Sequence, residues 1–223
     1  MPLLDSISNL LNIKDSHITY AKNFCTEEII RGVTAKVIHA TLSYIPTACP
    51  HCGHIMDQEI IKHGFKTSRI TLPPVSGFNT YLKLRKQRYF CRHCNSTFIL
   101  RTPIVDQYCC ISKSTKLAIA LASEEIACEK SLAKRFNVSH NTVSRIIDGF
   151  YLHYRPNKRY LPKHLCFDEF KSVKSAKGAM SFIFCDSQTG KVVDIVEDRR
   201  LDSLMKYFMG YSKAARRAVR TIV

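Results

Sequence analysis

Two short cysteine brackets constrain this chain more than any other feature of its sequence. Cys49 and Cys52 enclose Pro-His, and Cys91 and Cys94 enclose Arg-His, so the same C-x2-C spacing occurs twice. Each bracket allows two thiolates to hold one ion from a tight turn, and two brackets complete a tetrahedral zinc shell. The segment that joins them needs only a hairpin-like excursion. The sequence therefore predicts a zinc ribbon, with these four cysteines as ligands of one structural Zn²⁺.

Three histidines near the brackets, His51, His54 and His93, could each replace a thiolate as a ligand. The all-cysteine shell needs no such exchange, so we expect these rings beside the metal or facing a partner. The chain is long and poor in cysteine for a secreted disulfide scaffold, and thiolate ligands suit a reducing cytosol. We expect the six remaining cysteines to be ordinary free thiols: Cys25, Cys109, Cys110, Cys128, Cys166 and Cys185.

The charge balance indicates a polyanionic partner. Lysine and arginine number 34 against 18 acids, which gives a net charge of +16 and a pI near 9.5. Nucleic acid is the expected partner, and a solvated basic surface without a partner is the alternative. The sequence lacks an apolar run of the roughly 18 residues that span a bilayer and lacks the basic start of a signal peptide. We therefore expect a soluble cytoplasmic protein with no membrane partner.

The region around the second bracket has the pattern of basic strands. Val33–Tyr44 is predicted to be a strand, Gly64 and the Pro73-Pro74/Gly77 cluster mark turns, and Ser96–Leu100 continues the ribbon. Thr80–Phe90 also alternates, with Leu82, Leu84 and Phe90 on one face. The other face interleaves aromatic and cationic residues, which suits base stacking and phosphate contact. A charged edge strand is an equally good interpretation of that face, which contains Tyr81, Lys83, Arg85 and Tyr89, with Arg88 as a further candidate DNA contact.

From about Ser112 the hydrophobic period becomes helical. Leu117, Ala120 and Leu121 form an apolar stripe on a helix to about Ala127, and Lys130–Asp148 is predicted to be helix, tight turn and helix. Asn137 tolerates a left-handed turn and Ser139 caps the second helix. We predict a helix-turn-helix, against the alternative of a plain helical hairpin. Its candidate DNA contacts are short polar or basic residues: Ser139, His140, Asn141, Thr142, Ser144 and Arg145.

After a basic connector the pattern returns to strands. His164–Phe170, Ala179–Cys185 and Lys191–Val196 are predicted strands, the second of them buried on both faces. A helix follows from Leu201 to about Tyr211, Ser212–Arg220 continues helical, and Thr221–Val223 begins a strand. This order matches the first half of a ribonuclease-H-like domain, in which an acid on the first strand helps to hold divalent metal. Asp168 occupies that position.

The order of these parts resembles the ISL3-type DDE transposases of bacterial insertion sequences, over about residues 30–223. The resemblance rests on a helix-turn-helix and on four motifs: Cys49-Pro-His-Cys52-Gly53, Arg88-Tyr-Phe-Cys-Arg-His-Cys94 with Phe98, Phe167-Asp168-Glu169-Phe170, and Asp186-x3-Gly190-Lys-Val-Val-Asp194. It implies an α+β multidomain protein. Its parts are a helical segment (1–30), a zinc ribbon (31–102), a helix-turn-helix (111–153) and the first half of a ribonuclease-H-like domain (163–223).

The resemblance also implies a function. The ribbon and helix-turn-helix would bind the terminal inverted repeats of the element as double-stranded DNA, as a homodimer associated with the bacterial nucleoid in the cytoplasm. Asp168 would be the first acid of a catalytic Asp-Asp-Glu triad that uses two Mg²⁺ ions for strand cleavage and transfer.

The sequence departs from the family pattern at the catalytic acids. The second acid is expected just beyond Val223 and the final Glu farther on, so this polypeptide alone is expected to be an inactive N-terminal fragment. Turn, cap or surface roles are expected for Asp186, Asp194, Asp198 and Asp202. Two alternatives remain: an enzyme that gains its missing acids from a separate chain, and a zinc-ribbon and helix-turn-helix transcription regulator.

Overall fold

A computed structural model describes residues 7–125, 127–152 and 156–223, and the chain divides into two compact units, residues 1–153 and 154–223. The described part of the first unit contains a helical turn at residues 7–10, a sheet, and then three longer helices. Its elements are β1 (Ile18–Ile30), β2 (Val33–Leu42), β3 (Ile60–Val75), β4 (Phe78–Cys91), β5 (Ser96–Ile99), α1 (Lys113–Ala122), α2 (Glu129–Phe136) and α3 (His140–Tyr151). In the part of the chain that is described, no helix has the length and apolar character needed to cross a bilayer.

The first sheet joins two hairpins through a parallel pair. Its strand order is β1-β2-β4-β3, with β5 beside the end of β4, and β2 runs parallel to β4. The tip of the first hairpin is Arg31-Gly32, where both residues have positive φ angles of 54° and 77°. Such angles give the turn the twist that antiparallel strands need. Leucine and isoleucine side chains on one face of this sheet form its core: Ile38, Leu42, Ile70, Leu82 and Leu84.

Two predictions for this region were wrong in part. The helical segment predicted for residues 1–30 begins outside the described residues, and residues 7–10 are helical. The polar link predicted after it is instead β1, which pairs with β2 from Ile18 to Ile30. The sequence did not predict β1 because this strand is polar. An edge strand buries little of its surface and so shows only weak alternation of apolar and polar residues. Gly64 and Pro73-Pro74 are not turns either. They lie within β3 at two register shifts, whereas Gly77 of the same predicted cluster does lie in the turn, with Ser76, between β3 and β4. A glycine or proline inside a strand typically marks such a bulge.

The three helices pack on a small core of their own. Ser112 caps α1 by accepting a hydrogen bond from the backbone N–H of Thr115 at 3.1 Å. The predicted apolar stripe of α1 was wrong, since Leu117 and Leu121 are exposed while Thr115, Ile119 and Ala122 are buried. The hydroxyl of Thr115 donates to the carbonyl of Thr71 on β3 at 3.1 Å, so a hydrogen bond to the sheet helps decide which face of α1 turns inward.

The turn between α2 and α3 adopts the conformation that the sequence predicts. Asn137 adopts the predicted left-handed conformation with φ 52°, and Ser139 caps α3 by accepting from the backbone N–H of Thr142 at 3.2 Å. Leu132, Phe136 and Val143 are buried between the helices. This apolar contact fixes α2 and α3 against each other, with the polar side of α3 left outward.

The second unit is a mixed sheet with two short helices. Its elements are β6 (His164–Lys171), β7 (Met180–Asp186), β8 (Val192–Val196), α4 (Leu201–Met209), α5 (Lys213–Ala218) and β9 (Thr221–Ile222). The strand order is β8-β7-β6-β9, in which the first three strands are antiparallel and β9 is parallel to β6. The helical segment predicted from Leu201 breaks at Gly210–Ser212 into α4 and α5.

One face of this second sheet carries its core. Phe182, Phe184 and Leu165 pack against side chains of α4 such as Leu204 and Phe208. The prediction that β7 is buried on both faces was wrong, because Ile183, on the opposite face, is only half-buried. Its neighbour across the β7–β8 ladder, Ile195, is 47% exposed.

Candidate metal centre and nucleic-acid interface

The four bracket cysteines meet at one point. The sulfur of Cys49 lies 3.7 Å from that of Cys94, and the sulfur of Cys52 lies 3.9 Å from that of Cys91. All four sulfurs lie within 4.8 Å of one another. Sulfurs bound to one zinc at about 2.3 Å in a tetrahedron are about 3.8 Å apart. The thiols therefore fit a tetrahedral Zn²⁺ as predicted, although they come from distant parts of the chain.

Backbone groups prepare Cys49 to bind as a thiolate. Burial of this side chain raises the pKa of its thiol, but N–H groups of Cys52 and His51 and the neighbouring thiols outweigh that effect and lower the pKa to about 6. N–H groups directed at sulfur stabilise the charged form, which is the form that binds metal. Burial raises the pKa of the neighbouring Cys91 thiol, so a bound cation is needed to hold both sulfurs as thiolates.

Each knuckle is completed by a residue in the left-handed region. Gly53 follows Cys52 with φ 76°, and Asn95 follows Cys94 with φ 51°. The N–H of Gly53 donates to the carbonyl of Cys49 at 2.9 Å, which closes the first turn. Glycine and asparagine are the residues that adopt this conformation most easily. The two knuckles therefore have matching backbone turns.

The histidines near the thiols take other partners. The ring of His54 stacks on that of His93 with centroids 4.7 Å apart and planes inclined by 9°. The Nε2 atom of His54 also lies 2.9 Å from the Oδ2 atom of Asp57. Among the described residues, the one cluster able to hold a metal ion consists of the four thiols without a histidine. This favours the all-cysteine shell.

The predicted aromatic and basic face of β4 is only partly open. Tyr89 is 1% exposed, stacks on Phe98, and donates its hydroxyl to the carbonyl of Tyr44 at 2.9 Å. Tyr81 is 6% exposed and accepts a hydrogen bond from the side-chain amide of Asn137. The prediction that both tyrosines lie on an outer face was wrong. Tyr81 is covered where Asn137 of the α2–α3 turn contacts it, whereas Tyr89 belongs to the sheet core, beside a register shift in β3 between Lys62 and Phe65.

The predicted cations of β4 lie in different surroundings. Lys83 is exposed and lies 3.5 Å from the carboxylate of Glu28 on β1. Arg85 is exposed with its guanidinium 4.6 Å from the ring centre of Phe65. Arg88 is half-buried and its Nε atom donates to the carbonyl of His63 at 3.1 Å. Lys83 and Arg85 are therefore the more accessible of the three.

Most of the predicted contacts on α3 lie outward. Ser139, His140, Asn141 and Arg145 are exposed, and Thr142 and Ser144 are half-buried. Arg145 lies along the helix, where its guanidinium donates to the carbonyl of Asn141 at 3.3 Å and to the hydroxyl of Thr142 at 3.4 Å. The chemistry of this face suits base edges and phosphates, as the sequence indicated.

Asp168 lies on β6, where the sequence places it. It is exposed, and its Oδ1 atom accepts a hydrogen bond from the N–H of Glu169 at 2.7 Å. On one side Ile183 of β7 is its partner, and on the other β9 pairs with the preceding part of β6. The neighbouring Glu169 is paired with Arg199. Asp168 therefore presents a carboxylate at the middle of the sheet.

The other aspartates of this unit have structural partners. Asp186 closes the β7–β8 turn by accepting from the N–H of Gln188 at 3.0 Å and the hydroxyl of Thr189 at 2.9 Å. Asp194 accepts from the hydroxyl of Tyr207, and Asp202 lies in the first turn of α4. Asp198 is 8% exposed and accepts hydrogen bonds from the N–H and guanidinium of Arg200 and from the hydroxyl of Ser203, at the start of α4.

The sequence did not single out Arg69 on β3. It faces Lys83 across the ladder, because these two residues are directly paired in register. Alternation along the strand indicates that Arg69 faces outward, but only the register shows which residue lies opposite.

Comparison with known proteins agrees with the metal centre. Residues 45–94 match the family model of the zinc-finger of transposase IS204/IS1001/IS1096/IS1165. This segment contains both knuckles and the β3–β4 hairpin between them. A search of the curated proteins finds no match. The match and the thiol geometry agree on a zinc-ribbon-like segment over residues 45–94 that is similar to the zinc-finger of these transposases.

Proposed function

We propose that this protein binds double-stranded DNA as a transposase-derived protein of an insertion sequence, with one structural Zn²⁺ per chain. The observation that carries the proposal is that all four converging thiols lie inside the segment that matches a transposase zinc finger. A net charge of +16 supports a polyanionic partner. The terminal inverted repeats of the element are the proposed DNA, bound by a homodimer.

We assign the reading of DNA to two parts of the first unit. Residues 31–102 form the zinc ribbon, to which β1 contributes from outside the predicted boundary, and residues 111–153 form the helix-turn-helix. The left-handed Asn137, the cap at Ser139 and the exposed polar face of α3 support a recognition helix that enters the major groove. In this binding mode α3 would contact the bases, and the ribbon would contact the sugar–phosphate backbone of the same duplex.

We further assign a ribonuclease-H-like fold to the second unit. The strand order β8-β7-β6-β9, with β9 parallel to β6, supports this assignment. Asp168 would be one carboxylate ligand of a catalytic Mg²⁺. Within the described residues no group of three His, Cys, Asp or Glu side chains gathers around Asp168. Because Mg²⁺ keeps much of its water shell and requires ordered anionic ligands, further carboxylates would have to join Asp168 for strand cleavage.

The zinc proposal is tested by metal analysis. We expect one zinc per chain, and loss of the ribbon fold on chelation, because the binding energy of a structural zinc is also folding energy. Cys52→Ser should lose the metal, whereas Cys25→Ser, at an exposed cysteine outside the cluster, should retain it. A folded protein that contains no metal would refute the site.

The DNA proposal is tested by fluorescence anisotropy with a labelled mixed-sequence duplex and the zinc-loaded chain. We expect binding at low salt, and selection from random duplexes should then enrich a sequence whose recognition depends on α3. Arg145→Ala should weaken binding to that sequence by about 1–3 kcal/mol if its contact is bidentate to a base. Absence of binding at low salt would reject the proposed function.

Catalysis is tested separately with supercoiled DNA and Mg²⁺ or Mn²⁺. We expect no nicking by this chain, since Asp168 has no accompanying carboxylate cluster among the described residues. Nicking that disappears in Asp168→Asn would show that the chain is itself an active enzyme.

A further inference from the structure

Three cations on neighbouring strands of the first unit form a stripe on one face of the sheet. Arg69 on β3 lies directly opposite Lys83 on β4, and Arg85 lies two residues farther along β4 on the same face. All three residues are exposed. Like charges that face each other across a ladder destabilise it, so this arrangement has a cost in the free protein. A bound polyanion would remove that cost.

Few negative charges of the protein lie close to the positive charges of the stripe. Glu28 is the carboxylate that approaches it, at 3.5 Å from the Lys83 ammonium and 3.7 Å from the ring of His39. In the described part of the chain, Arg69 and Arg85 have no ion-pair partner. Their positive charge is therefore available to a ligand.

Aromatic rings hold the two guanidinium groups in place. Arg69 lies over the ring of Tyr81 at 5.3 Å, and Arg85 lies over that of Phe65 at 4.6 Å. Tyr81 is itself fixed by its hydrogen bond from Asn137. Stacking of a guanidinium leaves its edge donors free for phosphate oxygens. It also lowers the entropy lost when such a contact forms.

The stripe continues to the start of α3. A cleft of about 470 Å³ is lined from the sheet by Arg31, Arg69 and Tyr81, and from the helices by Asn137, Ser139 and Thr142. A second cleft of about 420 Å³ extends past Lys83 and Arg85. Side chains of the sheet and of the predicted recognition helix thus border the first cleft together, and the second cleft lies farther along the stripe, beside Lys83 and Arg85.

We infer that Arg31, Arg69, Lys83 and Arg85 form one surface that binds the sugar–phosphate backbone of the duplex whose groove α3 enters. This inference rests on the proposed function and deepens it, because it names the face of the ribbon that contacts DNA. From Tyr81 to Arg85 the strand advances about 13 Å at 3.3 Å per residue. That length corresponds to about four phosphates of one strand along the helix axis.

The test removes one positive charge at a time from each of the two faces of the sheet. Arg69→Gln, Lys83→Gln and Arg85→Gln should each weaken binding to a labelled mixed-sequence duplex by about fivefold near 0.15 M salt. Each should also reduce the slope of log K against log salt by about one. Lys66→Gln is the matched control, because Lys66 is exposed on β3 but lies on the face opposite to Arg69. It should change neither quantity appreciably.

Two further variants separate charge from folding. Arg69→Lys keeps the charge and should retain the salt slope, and Glu28→Gln should strengthen binding, because it removes the competing carboxylate. Zinc content and circular dichroism verify that each variant is folded. Where Arg69→Gln fails to fold, Lys83→Gln and Arg85→Gln decide the question.

The outcomes separate this inference from the proposed function. If the wild-type chain binds DNA and the three neutral variants match it in affinity and slope, the inferred surface is wrong while DNA binding stands. An equal loss in Lys66→Gln would also overturn the inference, because it would show that only total charge matters. Failure of the wild-type chain to bind would reject the proposed function itself.

Discussion

Hydrogen-bond partners decide what each aspartate of the second unit can do. Asp186 and Asp198 accept from backbone and hydroxyl groups that shape a turn and begin a helix. Asp194 is engaged by Tyr207, beside which the ammonium of Lys158 lies 3.5 Å from the ring centre. Asp168 accepts only from the adjacent N–H within the described residues and remains exposed. It is therefore the aspartate of this group that is best suited to meet an added ion.

Asp198 should make the stability of the second unit depend on pH. Hydrogen bonds from the Ser203 hydroxyl and from the backbone and side chain of Arg200 lower the pKa of this carboxyl. A lowered native pKa stabilises the folded state above the unfolded pKa of about 3.9 and loses that effect as pH falls toward the native value. Thermal unfolding at several pH values should show a smaller loss in Asp198→Asn than in the wild type, because the lowered pKa of Asp186 still contributes.

Asp202→Asn is the matched control for this experiment, because Asp202 is exposed in the first turn of the same helix. Its acid dependence should follow that of the wild type. Identical pH profiles for Asp198→Asn and the wild type would contradict the assigned role of Asp198.

At the scale of elements, the α2–α3 turn is bound to the sheet by polar contacts as well as by its own core. The amide of Asn137 donates to the hydroxyl of Tyr81, while Thr115 of α1 donates to Thr71 of β3. The N–H of Thr71 in turn donates to the carbonyl of Cys110 at 2.7 Å. These bonds give α3 a defined position relative to the cations of β4.

We expect Tyr81→Phe to lower the free energy of unfolding by about 1 kcal/mol, because it removes the acceptor for Asn137. Asn137→Gly keeps the left-handed turn accessible but removes the same bond. In a double-mutant cycle measured by denaturant unfolding, the two changes should therefore be non-additive by about 1 kcal/mol. Tyr108→Phe, at a side chain that is 96% exposed, is the control and should have no effect. Strict additivity would show that the bond contributes nothing.

The β6–β7 ladder contains a second element-level feature, which the sequence did not indicate. Cys166 and Cys185 are directly paired, and their sulfurs lie 2.9 Å apart. A disulfide requires about 2.05 Å, so a shift of less than about 1 Å would allow the bond. We expect oxidised glutathione to convert the two thiols to a disulfide, with release of two molecules of reduced glutathione.

Mass spectrometry of the zinc-loaded protein should show the loss of two hydrogens and a peptide that links Cys166 to Cys185. Cys128, which is exposed, should form only a mixed disulfide with glutathione under the same conditions. Mixed disulfides at Cys166 and Cys185 without a link would show that the strands hold the thiols too rigidly to join.

For the whole molecule, the charge of +16 should appear as a steep salt dependence of DNA binding. If Arg31, Arg69, Lys83, Arg85 and Arg145 each neutralise one phosphate, the slope of log K against log salt should be near −4.5, about −0.9 for each contact. Anisotropy titrations from low to moderate salt measure this slope. A value near zero would contradict a binding mode based on phosphate contacts.

Local spacing made the metal centre and the α2–α3 turn predictable. The bracket spacing identified Cys49, Cys52, Cys91 and Cys94, because two thiols separated by two residues must share a turn. The left-handed Asn137 and the cap at Ser139 also depend on residues within one turn of the chain. Periodicity located β4 and β7, but it failed for β1, whose polar residues give little contrast between its faces.

By itself, the sequence determined which four cysteines converge, the cap at Ser139 and the excess of positive charge, since these depend on residue type and short spacing. Only the tertiary structure decided that Tyr81 and Tyr89 are covered, that Arg69 faces Lys83, and that Glu28 lies against the same face. Strand register and the packing of helices on a sheet join residues that are far apart in the chain. For that reason, no local pattern could reveal which cations of the ribbon form one surface.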